Sequence, residues 1–187
     1  MKAAAWLRVA LIAGAAMIFA AGPAAAAEGA AEPACIYGRV VSVESGDTLT
    51  VLDARAAPRR VRLAGIEAPA WGRPGSHRSK DSLARLVLEQ PVRVDCYAQD
   101  PKGRVVGKAW AVSPDMPCRG RPDCPMTLDA GLAQLTMGRA RRFPAHASLQ
   151  TAQDRARYDD AEREARARKA GLWRDGAAAE FGKTGVP

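Results

Sequence analysis

Four short segments of this chain carry the side chains whose types and spacing are most suggestive of chemistry. They are Ser45-Gly46-Asp47-Thr48, Val61-Arg62-Leu63-Ala64-Gly65-Ile66-Glu67-Ala68-Pro69, Asp100-Pro101-Lys102-Gly103-Arg104 and Ala170-Gly171-Leu172-Trp173. Guanidinium groups donate paired hydrogen bonds to phosphoryl oxygens, and carboxylates are ligands that hard cations such as calcium prefer. Taken singly, however, an arginine in a strand or turn is usually solvated, and Gly-Asp is typical of a turn. The interpretation therefore depends on the four segments together.

In this order and at this spacing, the segments resemble the signature blocks of the thermonuclease, or staphylococcal nuclease-like, family over about residues 36 to 174. The resemblance implies an α+β fold that is mainly β, a five-stranded OB barrel with about three helices. It also implies hydrolysis of phosphodiester bonds in DNA or RNA with one calcium ion. We expect a monomer that acts on single strands.

The resemblance assigns roles to individual residues. Arg62 and Arg104 match the two arginines that donate hydrogen bonds to the negative charge developing on the phosphoryl oxygens. Asp47 matches a carboxylate ligand of the calcium. Glu67 stands where the second aspartate ligand belongs, and Ala68 provides its backbone carbonyl.

The chain departs from the family pattern in the second block, where Ile-Asp-Ala-Pro-Glu becomes Ile66-Glu67-Ala68-Pro69-Ala70. The extra methylene of Glu67 extends its carboxylate by about 1.5 Å. Ala70 replaces the glutamate that positions or deprotonates the attacking water, and a methyl group does neither. Because a general base contributes about 10² to 10⁴ in rate, slow hydrolysis and complete loss of activity both stay open. His77 is a candidate substitute, although a surface histidine at a helix start is the more ordinary interpretation.

Basic residues are expected to contact the nucleic acid. Lys102 occupies a position where the family usually carries an aromatic residue. After Gly138 the family's base-stacking aromatics are replaced, and the candidates here are Arg139, Arg141, Arg142 and Phe143, with His146 as a weaker stacking face. These side chains suit phosphate and base contacts, and an ordinary basic loop is the alternative.

The hydrophobic pattern predicts the elements that position these residues. Alternating apolar and polar residues predict a hairpin from Ile36 and a third strand over Arg59–Ile66. A helical period follows, with Ser79, Leu83, Leu86 and Val87 on one face. Further predictions are strands over Val92–Ala98 and Arg104–Val112, a helix capped by Thr127 that ends at Gly138, and a last helix over about Gln150–Ala170 with an alanine stripe at Ala152, Ala156, Ala161 and Ala165.

The N-terminus is typical of an exported protein. Residues 1–27 combine Lys2 and Arg8, a short apolar run and small residues near a cleavage position, which predicts a signal peptide. Residues 28–35 are then an extension, residues 36–174 one domain, and residues 175–187 a disordered tail. Cleavage lowers the net charge from +8 to +6, a basic balance that suits a polyanionic partner. We expect a periplasmic or secreted protein.

The four cysteines, Cys35, Cys96, Cys118 and Cys124, suit disulfides in an exported protein. Cys118 and Cys124 enclose a short Pro- and Arg-rich stretch, which favours a local bridge there and a long-range bridge between Cys35 and Cys96. A zinc site is the alternative, but its spacing is poor because no Cys-x-x-Cys pair exists.

The sequence thus leaves three functions open. The first is a calcium-assisted nuclease, and the second is a catalytically silent nucleic-acid-binding protein of the cell envelope. The third is an envelope interaction module in which the barrel is only a scaffold.

Overall fold

The computed structural model describes residues 34–174. The predicted signal peptide, residues 28–33 of the predicted extension and the predicted tail lie outside the described residues. Among residues 34–174, no helix is long and apolar enough to cross a membrane.

Five strands form a closed barrel. The strands β1 (Ala34–Ser45), β2 (Thr48–Asp53) and β3 (Pro58–Leu63) make an antiparallel meander, and β4 (Ile66–Glu67) is a short extension outside it. After α1 (Ser76–Val87), β5 (Pro91–Gln99) and β6 (Val105–Ala111) follow. The sheet order is β3-β2-β1-β5-β6, and β6 also pairs in parallel with β3, which closes the barrel. The predicted OB fold is confirmed.

The rest of the described chain packs around this barrel. The short strand β7 (Leu128–Asp129) pairs antiparallel with the end of β6 and adds a sixth strand to the sheet, and α2 (Ala130–Thr136) follows directly. The strand β8 (Arg141–Arg142) pairs with β4, and a 3₁₀ segment (Pro144–Leu149) leads into α3 (Ala152–Ala167). A second 3₁₀ turn (Gly171–Trp173) ends the described region. The prediction of about three helices therefore agrees with the structure.

The barrel interior is filled by branched aliphatic residues from alternating strand positions. The buried strand residues include Val40, Leu49, Val51, Val61, Val92 and Val94. The predicted apolar face of α1 is confirmed, because Ser79, Leu83, Leu86 and Val87 are all buried. Burying the side chains of α1 against the barrel excludes water from this core, which is the main stabilising contribution of a packed domain.

Two details of the helix predictions were wrong. Asp129, not Thr127, caps α2, because its side chain accepts the amide N–H of Leu132 at 3.0 Å. The alanine stripe of α3 is buried only at Ala161 and Ala165, whereas the remaining two predicted members, Ala152 and Ala156, are exposed.

A buried polar network, and not the predicted alanine stripe, holds the first half of α3 against Lys108 of β6 and Asp129 of β7. The Tyr158 hydroxyl donates to the carboxylate of Asp129 at 3.0 Å. The Lys108 ammonium lies 2.6 Å from Asp154 and 3.6 Å from Asp129. Burial raises the pKa of Asp129 above its usual value, and burial together with the nearby Asp129 charge raises the pKa of Tyr158. Charged and hydroxyl partners thus replace aliphatic contact at the first half of the helix.

Both favoured disulfides are present. One joins Cys35 of β1 to Cys96 of β5, and the other joins Cys118 to Cys124 in the loop before β7. The sequence separations are 61 and 6 residues. The long-range bridge therefore constrains the unfolded chain far more than the local one does.

We predict that Cys35→Ala/Cys96→Ala destabilises the domain more than Cys118→Ala/Cys124→Ala. Loop-closure entropy grows with the logarithm of loop length, so separations of 61 and 6 residues give a difference of about 2 kcal/mol in the free energy of unfolding. Urea unfolding of the two double variants measures this difference, with the local pair as the matched control. Equal losses would contradict it.

Candidate active site

Barrel closure brings the two predicted catalytic arginines together. Thr48 of β2 pairs with Arg62 of β3, and Arg62 in turn pairs with Val106 of β6. Arg104 immediately precedes β6 and therefore lies beside the end of β3 and the start of β2. Its Nη1 donates to the Thr48 hydroxyl at 3.4 Å.

Asp47 lies at the centre of this cluster and is buried, with 5% of its surface exposed. Its Oδ1 accepts hydrogen bonds from the hydroxyls of Ser45 at 2.7 Å and Thr48 at 3.0 Å. Its Oδ2 accepts the amide N–H of Ala68 at 2.9 Å and lies 3.6 Å from Nη1 of Arg62. Both carboxylate oxygens are therefore engaged by donors from the protein.

Arg104 is held by Asp100 across a tight turn. Its Nε and Nη2 both lie 2.7 Å from Asp100 Oδ2, and its amide donates to Oδ1 at 2.9 Å. Gly103 makes the turn possible, because its φ of 74° is a conformation that favours glycine. Burial raises the pKa of Asp100, but the hydrogen bonds and charge of Arg104 outweigh it and leave the pKa below its usual value. The aspartate therefore stays ionised and orients the guanidinium.

Arg62 lies over an aromatic face supplied by the segment after β8. Its guanidinium carbon is 5.2 Å from the centre of the Phe143 ring. Phe143 contacts the edge of His146, with 4.7 Å between ring centres. Gly65 contacts both residues through its backbone. Its carbonyl accepts the amide N–H of Phe143 at 2.9 Å, and the amide N–H of Gly65 donates to His146 Nδ1 at 3.4 Å. Phe143 and His146 are thus fixed beside the end of β3.

The His146 imidazole shares the electrostatic environment of the arginine pair. Burial lowers its pKa, and the positive charge of Arg62 lowers it further. Asp100 and Asp47 act in the opposite direction without cancelling the effect. The imidazole is therefore neutral at pH 7.

Glu67 is paired with an arginine from the neighbouring strand. The short β4–β8 ladder places Glu67 directly opposite Arg141. The Nε and Nη2 of Arg141 lie 2.8 Å and 2.6 Å from Glu67 Oε2. Both side chains are about one-third exposed or less. The carboxylate is therefore neutralised by the protein itself.

The acids of the site do not fit a calcium ion in this arrangement. Calcium takes six to eight oxygens at about 2.3–2.6 Å, but Asp47 accepts donors on both oxygens and Glu67 is bound to Arg141. Within residues 34–174, no three histidine, cysteine, aspartate or glutamate side chains are grouped so as to hold a metal.

The loop after β4 carries the Ala70 substitution. Ala70 is exposed, and its carbonyl accepts the amide of Arg73 at 3.0 Å. The next residue, Trp71, is 73% exposed, contacts the ring edge of His77 and lies 6.0 Å from the Lys80 ammonium. His77 is thus a partner of Trp71 at the start of α1.

The predicted nucleic-acid-binding residues are spread over several surfaces. Lys102 is exposed in the turn between Asp100 and Arg104, and Arg141 is bound to Glu67. Arg142 pairs with Asp159 of α3. The carbonyl of Arg139 accepts the hydroxyl of Ser79 in α1, and burial and three neighbouring arginines lower the pKa of its guanidinium. Phe143 contacts the Arg62 guanidinium, and Lys102 lies two residues before Arg104 in the same turn.

Sequence reasoning missed two contributors to this site. Asp100 begins the segment that ends at Arg104, and its four-residue spacing to Arg104 around Pro101 and Gly103 is the sequence signal for this pair. His146 was considered only for stacking. Its position near Arg62 depends on the 3₁₀ segment Pro144–Leu149, and no periodicity in the sequence predicts that segment.

Comparison with known proteins gives consistent matches. Residues 60–175 match the family model described as staphylococcal nuclease homologue. Protein ParB of Escherichia coli is 34% identical over 145 residues, which cover 78% of this chain and 76% of that protein. Micrococcal nuclease of Shigella flexneri is 34% identical over 143 residues, or 76% of each chain. An uncharacterized endonuclease of Escherichia coli is 40% identical over 76 residues, which are 41% of this chain and 49% of the endonuclease.

We predict that His146 titrates below pH 6.5, the ordinary value for histidine. The unfolded chain binds this proton near pH 6.5 and the folded protein only at lower pH, so the free energy of unfolding falls as the pH drops below 6.5. An NMR titration of the two histidines measures the pKa, with His146→Gln as the assignment control. In urea unfolding, the free energy of unfolding should fall less between pH 7.5 and pH 5 for His146→Gln than for the parent. A midpoint above 6.5 would contradict the prediction.

Proposed function

Because the chain belongs to the staphylococcal nuclease family, we propose that it hydrolyses phosphodiester bonds of DNA or RNA at the cluster around Arg62 and Arg104. The observation that carries the proposal is the convergence of the two side chains on the adjacent residues Asp47 and Thr48: Arg62 Nη1 lies 3.6 Å from Asp47 Oδ2, and Arg104 Nη1 donates to the Thr48 hydroxyl at 3.4 Å. Each side chain is about 15% exposed, so both charges act in a partly water-excluded environment.

The arginines are oriented before a substrate arrives. Asp100 fixes Arg104, while Asp47 and the Phe143 ring position Arg62. A guanidinium has five N–H donors, so each arginine can keep these contacts and still donate to a phosphoryl oxygen. Such preoriented donors stabilise the negative charge that grows on the non-bridging oxygens as water attacks.

The proposed reaction needs only one water per bond. The water oxygen attacks phosphorus, one P–O ester bond breaks, the leaving sugar oxygen takes up a proton, and the water proton passes to solvent. Ala70 offers no carboxylate to accept that proton. We therefore propose slow hydrolysis, reduced by about 10² to 10⁴ relative to a site with a positioned base.

The hydrolysis described above uses the two arginines and water, without a step that requires calcium. The family resemblance implies the ion, but the described carboxylates are occupied as they stand. Activity assays therefore include both calcium and a chelator.

We propose a single-stranded substrate and an exported protein. Trp71 presents a largely exposed ring in the loop after β4, and a base of a flexible strand can stack on it or on Phe143. Lys102, exposed in the turn that precedes Arg104, supports the proposal with a positively charged side chain. Two disulfides suit an oxidising compartment, in line with a periplasmic or secreted location.

A second candidate function is nucleic-acid binding without hydrolysis. Ala70 favours it, because an exposed methyl group stands where the resemblance implies a glutamate. The same arginines would then bind phosphate without promoting attack by water.

We predict that the purified mature protein cleaves single-stranded DNA or RNA both with calcium and with a chelator. Arg62→Ala/Arg104→Ala should lower the rate by at least about 100-fold, because it removes the donors to the transition state. Ala70→Glu should raise it by about 10² to 10⁴. The measurement is initial cleavage rate on a labelled oligonucleotide, with calcium and with chelator.

Arg121→Ala/Arg163→Ala is the matched control for this assay. It also removes two charges, but from exposed arginines paired with close sequence neighbours. Its rate should equal that of the parent. A parent that never cleaves, with activity gained in Ala70→Glu, would instead support the binding function.

We also predict salt-sensitive binding of single-stranded nucleic acid. Each neutralised phosphate contributes about −0.7 to the slope of log K against log salt, so Arg62→Ala/Arg104→Ala should flatten the slope by about 1.4. Arg62→Lys/Arg104→Lys should keep most of the slope but lose cleavage, since lysine keeps the charge without the planar fork. Fluorescence anisotropy at several salt concentrations measures both. An affinity that changes neither with salt concentration nor with the Arg62 and Arg104 substitutions would favour the scaffold function.

A further inference from the structure

We propose that Arg141 supplies, from within the chain, the positive charge at Glu67 that a divalent cation would otherwise supply, so that the Asp47–Glu67 site does not take up calcium. The inference rests on the proposed function, because it concerns how the charge of the same site is compensated. It assigns Arg141 a positioning role in place of the predicted contact with nucleic acid.

The first support is the geometry of the Glu67–Arg141 pair. The two residues face each other across an antiparallel ladder, where directly opposed side chains are close neighbours. Two nitrogens of one guanidinium converge on one carboxylate oxygen at 2.8 Å and 2.6 Å. Such charge-assisted contacts are among the stronger hydrogen bonds of proteins. The longer side chain of Glu67, relative to aspartate, provides the reach across the ladder.

The second support is the state of Asp47. An ionised carboxylate offers about four lone-pair directions, and Asp47 meets two hydroxyls, one amide and the Arg62 guanidinium. Three of these directions hold hydrogen bonds, and a calcium ion at the fourth, on Oδ2, would lie against the Arg62 guanidinium, whose Nη1 is 3.6 Å from that oxygen. The amide of Ala68 belongs to the backbone between β4 and the following loop, so its displacement would also move Glu67.

The third support is the charge balance of the cluster. Asp47, Asp100 and Glu67 face Arg62, Arg104 and Arg141 respectively, so each of these three carboxylates has its own guanidinium. Adding a doubly charged ion would leave an excess of positive charge among partly buried groups. The electrostatic reason for a cation at these acids is therefore already removed.

The test measures calcium binding directly, without nucleic acid. Isothermal titration of the mature protein with calcium chloride extends to about 10 mM, above the roughly 0.1–1 mM dissociation constants of extracellular calcium modules. We expect no binding by the parent. Arg141→Gln should bind calcium with a dissociation constant of about 1 mM or lower, at least tenfold below the 10 mM limit tested with the parent. Adding Glu67→Gln to that variant should abolish this binding.

Arg142→Gln is the matched control, because it removes the same charge from the adjacent residue, which pairs with Asp159. It should not gain calcium binding. Circular dichroism melting of every variant checks that the fold is retained.

Three results would overturn the inference. They are calcium binding by the parent that Glu67→Gln abolishes, an equal gain in Arg142→Gln, and no gain in a folded Arg141→Gln. Failure of the nuclease proposal is distinguishable, because a parent that neither cleaves nucleic acid nor binds calcium leaves the role of Arg141 intact.

Discussion

The parallel pairing of β3 with β6 is the interaction on which the rest of this structure depends. Among the five barrel strands, in the order β3-β2-β1-β5-β6, these two are the first and the last, about 19 Å apart if the strands lay flat. Pairing Val61, Arg62 and Leu63 with Val105, Val106 and Gly107 closes the barrel. Closure covers both edges and brings Arg104 beside Arg62, so one event stabilises the fold and assembles the site.

Glycine allows close backbone approach between two other pairs of barrel strands, β5–β6 and β1–β2. A Cβ at Gly107 would meet the carbonyl oxygen of Asp95 at 2.5 Å, and one at Gly38 would meet that of Leu52 at 2.1 Å. Side chains at these positions would force the neighbouring backbone apart.

The site is completed by segments outside the barrel, and a buried amide holds them in place. The side chain of Gln134 in α2 donates to the carbonyls of Gly46 at 2.8 Å and Ser79 at 3.0 Å, which ties the Asp47 turn to both α1 and α2. The β4–β8 ladder then aligns Arg141 with Glu67 and leads the chain to Phe143. The carboxylates and guanidiniums thus meet with little freedom to rearrange, as a preorganised electrostatic site requires.

The sequence by itself predicted the barrel class and the helical face of α1, favoured the disulfide pairing that the structure shows, and pointed to Arg62 and Arg104 as candidate site residues. Strand alternation, helical period and ordered motifs are local signals, and each of these features has such a signal. The tertiary structure decided which partner each charged group takes. Asp129 rather than Thr127 caps α2, the Lys108 network replaces half of the alanine stripe, and Glu67 pairs with Arg141. These outcomes depend on side chains distant in sequence, because hydrogen bonds and ion pairs are set by proximity in space, which periodicity does not encode.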